Sequence, residues 1–86
     1  MSIRISAHAA KRAAERGISE TGIRAILLSG STVTLPSNID PEVVIAFGKY
    51  GGKVWAIVLN INTLTVVTVR PASKKERDFH ERYTQD

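Results

Sequence analysis

Ser-Ala-His-Ala-Ala-Lys-Arg-Ala-Ala-Glu-Arg-Gly-Ile-Ser, residues 6–19, carries a helix with both of its ends marked. The Ser6 hydroxyl can accept from the free amides of a first turn, and Gly17 can close the last turn in a left-handed conformation. Ala7 to Arg16, between them, are rich in strong helix formers. At about 100° per residue, His8, Arg12 and Glu15 fall on one face, with Lys11 and Arg16 on its flanks. Ala9, Ala10, Ala13 and Ala14 fall on the other, where small side chains let the helix lie close against a sheet. A histidine among charges at helical spacing is most simply a solvated face, so this stretch alone speaks for architecture before chemistry.

Working outward, Ser19 reads as a second N-cap, with Glu20 in the first turn where a negative charge favours the helix dipole. Ile18 and Ile23 are spaced as a hydrophobic staple. Ile23, Ile26 and Leu27 form an apolar stripe, and Gly30 is the expected terminator. After Gly30 the period turns from helical to extended. Ser31 to Leu35 is a short β-prone run, and residues 36–41, with Pro36 and Pro41, form a loop. Val43 to Tyr50 and Lys53 to Asn60 read as strands joined by a Gly51-Gly52 hairpin turn. After a turn at Ile61-Asn62-Thr63, Leu64 to Arg70 is a third strand.

Strict alternation in that third strand would send Leu64, Val66, Thr68 and Arg70 one way and Thr65, Val67 and Val69 the other. On that pattern Val67 is a core residue, and a charge there should unfold the domain. Trp55 is the largest candidate for the core. Pro71 ends the strand, Ser73-Lys74-Lys75-Glu76 is a capping box, and a last helix runs to about Tyr83, with Phe79 and Tyr83 facing the sheet. The expected fold is therefore α+β: two N-terminal helices packed on a small antiparallel meander of three to four strands, with a C-terminal helix, all in one domain over residues 1–86.

Composition narrows the function classes. The 86 residues hold 12 Lys and Arg against 8 Asp and Glu, a net charge of +4, and no cysteine. No disulfide framework is possible, and the absence of thiols suits a reducing cytoplasm. No run of about 18 apolar residues is present, so no membrane span is expected, and Met1 to Arg4 lack the apolar core of a signal peptide. A basic excess suits a polyanion, with nucleic acid the default. Two distant histidines without cysteine make no metal-ligand spacing, and no phosphate-loop, dinucleotide or nucleophile-elbow pattern appears. Neither metal nor cofactor is expected.

What remains is RNA chemistry without a metal. Such cleavage needs a proton-transfer group, for which histidine is suited, and cations to hold the phosphate and its developing charge. The chain offers His8 with Lys11, Arg12 and Arg16 on the first helix. It also offers Thr68 and Arg70 at the end of the third strand, and Lys74 and Lys75 at the start of the last helix, where free amides favour phosphate.

Residues 6–19 resemble the N-terminal helix and corner of RelE/ParE-like domains, in the barnase–EndoU–colicin–RelE group of ribonuclease toxins. Val-Thr-Val-Arg-Pro-Ala-Ser-Lys-Lys-Glu-Arg-Asp-Phe-His-Glu-Arg-Tyr, residues 67–83, is similar to the tail of BrnT-type toxins. The resemblance implies a cytoplasmic endoribonuclease toxin, neutralised by a cognate antitoxin or immunity protein. It implies His8, Arg12, Thr68 and Arg70 as catalytic candidates, with Lys75 and Glu76 near the start of the last helix. On the reading of the basic residues themselves, Lys11, Arg16, Lys74 and Lys75 are the expected contacts to the RNA phosphates. Two other functions fit the same fold: a ParE-like toxin that binds a protein such as DNA gyrase, and a nucleic-acid-binding domain without catalysis.

Overall fold

The computed structural model describes residues 3–29, 33–36 and 40–84. Its elements run β1 (Arg4–Ile5), α1 (Ala7–Arg16), α2 (Glu20–Leu28), β2 (Val33–Pro36), β3 (Val43–Tyr50), β4 (Lys53–Asn60), β5 (Thr65–Pro71) and α3 (Lys74–Thr84). The architecture is α+β, as the sequence implies, with five strands in the order β1-β5-β4-β3-β2. β2 to β5 form the antiparallel meander, and the short β1 joins β5 in parallel. The expected Gly30 terminator and residues 31–32 and 37–39 lie outside the described residues.

Local signals account for the helix ends. The Ser6 hydroxyl accepts from the Ala9 amide at 3.0 Å and the Ser19 hydroxyl from the Gly22 amide at 3.1 Å. Gly17 ends α1 at φ 85°, a left-handed conformation that costs glycine nothing. Ile18 and Ile23 are both buried at the corner between α1 and α2. Gly51 and Gly52, at φ 62° and 82°, turn β3 into β4 with the twist a two-residue hairpin needs.

The sheet is covered on both faces, which explains its apolar runs. On one face Ala46, Trp55, Ile57, Val66 and Val69 pack against Ala9 and Ala13 of α1 and Ile23 and Ile26 of α2. The Trp55 indole N–H donates to the Tyr50 carbonyl at 3.1 Å, so the largest core ring is buried with its polar atom satisfied. On the other face Phe47 meets Phe79 of α3 edge to face, at 6.1 Å between centroids. Tyr83 follows Phe79 at 4.5 Å but is 63% exposed, so only Phe79 of the expected pair seals the sheet.

The third strand departs from strict alternation. Val58 pairs with Thr68 and Leu59 with Val66, so Val67 is an extra residue in a β-bulge. The bulge resets the parity of β5. Val66 and Val69 both enter the α1–α2 side of the core, and Val67 is 41% exposed. The expectation that Val67 is a core residue is thereby corrected.

The start of α1 is tied to the same bulge. The Ser6 amide donates to the Val66 carbonyl and the Ser6 hydroxyl to the Val67 carbonyl, at 3.1 and 3.3 Å. At the far end of β5, the Ala72 amide donates to the Val54 carbonyl at 2.9 Å, which brings the approach to α3 beside the β3–β4 hairpin.

Candidate functional site

The sheet divides the residues that the sequence marks. α1 lies on one face, with Ala9 and Ala13 buried and His8, Lys11, Arg12 and Arg16 exposed on its outer side. Arg12 pairs with Glu15 at 3.6 Å, with both side chains about half exposed. Such a pair is weakly held and readily exchanged. Thr68 and Arg70 leave β5 on the opposite face. They pair across the sheet with Val58 and Ala56, in line with Ile45 and Phe47, and Phe47 is the residue that meets α3. The four catalytic candidates His8, Arg12, Thr68 and Arg70 therefore do not converge. The sequence leaves open whether the first-helix cluster and the β5 cluster meet, and the fold sets them apart by a separation of faces. Its physical cause is the placement of α1 and α3 on opposite faces, while consecutive even-numbered residues of β5 past the bulge point toward α3.

Arg70 is also committed. Its guanidinium donates to both Glu76 oxygens, at 2.5 and 2.7 Å, and the Ser73 amide donates to Glu76 Oε1 at 2.8 Å. The Ser73 hydroxyl in turn accepts from the Glu76 amide at 3.3 Å, completing the capping box. Hydrogen bonding from Arg70, then the Ser73 amide and the Arg70 charge, hold the Glu76 carboxyl down to about 2, against the opposing effect of burial. The same bond raises Arg70 above its usual value.

A cleft of about 620 Å³ opens where the end of the β3–β4 hairpin meets the first turns of α3. Its volume falls in the range of small-molecule and nucleotide sites. Lys49, Lys53, Lys74 and Arg77 supply its positive charge, and Asp78 and Glu81 its negative charge. The Lys53 ammonium stands 5.9 Å from the Trp55 ring centroid, a cation–π arrangement that occupies it at the rim. Lys49, Lys74 and Arg77 are held in no ion pair among the described residues. His80 is buried, at 7% exposure, and also lines the cleft. Of the expected phosphate-binding residues only Lys74 belongs to it. Lys75 is exposed on α3 outside the lining, and Lys11 and Arg16 are on α1.

The cleft residues outside the expected site carry a legible signal. Lys49 and Lys53 flank the Gly51-Gly52 turn, so both must stand at the hairpin end. Arg77 and Glu81 recur with Lys74 at helical spacing along one flank of α3, and His80 shares the inward side with Glu76 and Phe79. What the chain order alone does not supply is that the hairpin end and the start of α3 are neighbours.

Among the described residues no group of three His, Asp or Glu side chains is placed to hold a metal ion, and no helix is long and apolar enough to cross a membrane. No curated protein and no solved structure matches the chain. The family described as Domain of unknown function (DUF4258) matches residues 5–70, from β1 to Arg70 of β5 and so most of the chain, and the chain belongs to that family.

Proposed function

We propose that this domain binds RNA, with the phosphates held in the cleft between the β3–β4 hairpin and α3. The observation that carries the reading is the trio Lys49, Lys74 and Arg77, which line one nucleotide-sized cleft and are held in no ion pair among the described residues. A phosphodiester entering there gains charge-assisted hydrogen bonds and releases counterions. The net charge of +4 favours its approach.

A second reading adds chemistry at the same place, because His80 shares the cleft with these cations. In it the domain is a metal-independent endoribonuclease toxin, with an antitoxin or immunity protein as its second partner, and the resemblance to RelE/ParE-like toxins supports it. A base takes the 2′-OH proton, the 2′-oxygen forms a bond to phosphorus, and the P–O5′ bond breaks as the 5′-oxygen gains a proton. A 2′,3′-cyclic phosphate and a free 5′-hydroxyl result. Binding is the leading conclusion because His80 is nearly covered and the implied catalytic residues are split between faces.

The test is RNA binding by fluorescence anisotropy across a salt series, followed by cleavage assays with EDTA present. Lys49→Glu with Arg77→Glu should weaken binding about tenfold or more and flatten the salt dependence by roughly 0.7 in slope for each phosphate no longer neutralised. Unchanged binding would remove the cleft from the reading. Cleavage reduced about 10²-fold in His80→Ala and kept in His8→Ala would establish the second reading, and the reverse pattern would return the chemistry to α1. Growth arrest on expression, with intact RNA and a DNA-damage response, would point to a protein target instead.

A further inference from the structure

The outer face of α1 is a second basic surface, on the other side of the sheet from the α3 residues that line the cleft. His8, Lys11, Arg12 and Arg16 stand along it, all exposed. They span nine residues, about 12 Å of helix from the first to the last, enough to meet two successive phosphates. Arg4 is exposed on β1 just ahead of them. The first turn of α1 has no acidic residue, so the helix dipole adds to the positive field there, and Arg16 extends the row to the last turn. The carboxylate within the row is Glu15, in a half-exposed pair with Arg12 that an entering phosphate can replace.

We infer that α1 is a separate RNA-phosphate site, so that one domain holds two RNA segments, one on α1 and one in the α3 cleft. This inference rests on the proposed RNA-binding function and extends it to a second surface. The short axis of the domain measures 23 Å, and the sheet lies between the two surfaces. Neither a single phosphate group nor a trinucleotide is long enough to reach both. Longer RNA that engages both surfaces gains from effective concentration, because the second site is then filled within the same complex.

Stoichiometry reads this directly. A non-cleavable 2′-O-methyl RNA trinucleotide is titrated into the intact domain by calorimetry, with native mass spectrometry as the count. The parent is expected to take two trinucleotides. Lys11→Glu with Arg16→Glu should leave one, bound with the parent's cleft affinity, and Lys49→Glu with Arg77→Glu should leave the other. All four substitutions involve exposed side chains, and circular dichroism confirms the fold of each variant. A parent that saturates at one trinucleotide, or an α1 variant that still takes two, overturns the inference and leaves the α1 face to an acidic protein or to solvent. Loss of RNA in the α1 variant with none in the cleft variant would overturn the cleft reading and keep the α1 site. No trinucleotide bound by the parent overturns both.

Discussion

Arg70 at the end of β5 grips both oxygens of Glu76 in the first turn of α3, and that carboxylate also caps its own helix through Ser73. This joins the last residue of the family match to the helix that follows it. Arg70→Ala should therefore be a stability variant. The pair is partly screened, with 41% of the Arg70 side chain exposed and 19% of Glu76. Its removal should cost about 1–2 kcal/mol, and each kcal/mol lowers the thermal midpoint by about 4–8 °C in a domain of this size. An unchanged melt would show that the pair carries no net stability.

Acid should reach the same joint. Glu76 titrates at about 2 in the folded chain, below its ordinary value of 4.5. A depressed carboxylate contributes stability above the ordinary range and loses it as pH falls toward the folded value. After screening, the contribution is on the order of 1 kcal/mol. Urea unfolding at pH 6 and pH 3 should show the parent losing more stability than Glu76→Gln over that interval. Equal losses would remove Glu76 from the acid response.

The bulge makes neighbouring valines opposites. Val66→Asp places a carboxylate in the core, where Val66 is fully buried, and should unfold the domain. Val67→Asp meets solvent and should shift stability by less than about 1 kcal/mol. Circular dichroism under urea separates the two, and equal loss in both would contradict the register.

Gly48 lies against Ile26 where α2 crosses β3, and a β-carbon there would run into Ile26 Cγ2. Gly48→Ala should destabilise by about 1–3 kcal/mol. Ile26→Ala removes that methyl, so the double variant should be less destabilised than the sum of the two single changes. Simple additivity in the urea midpoints would show that the clash is relieved elsewhere.

Elements with local punctuation were legible in the chain. Ser6, Gly17, Ser19, the Gly51-Gly52 turn and the Ser73–Glu76 box each act within four residues, and each stands where its chemistry sends it. Trp55 was legible as core because its ring is too large to leave exposed and its N–H needs only one carbonyl. The bulge was not, since Thr-Val-Val-Thr-Val alternates equally well with or without an extra residue, and only the pairing with β4 decides. The candidate site suffered more. Which face a helix covers is set by packing across the whole sheet, so His8 and Arg70 could not be assigned to opposite faces from their own neighbourhoods. Nor could α3 be placed beside the hairpin that supplies Lys49.

The bond from the Ala72 amide to Val54 fixes which backbone groups of β5 look inward. Arg70 and Thr68 turn theirs toward β4 with Ala72, so at position 71 an amide hydrogen would face outward, and proline has none. The Val67 carbonyl on that side is already taken by Ser6. Past β1, Val69 also turns its backbone outward but is buried, at 1% exposure, so among the described residues this stretch of β5 is a poor template for another chain to add itself and extend the sheet.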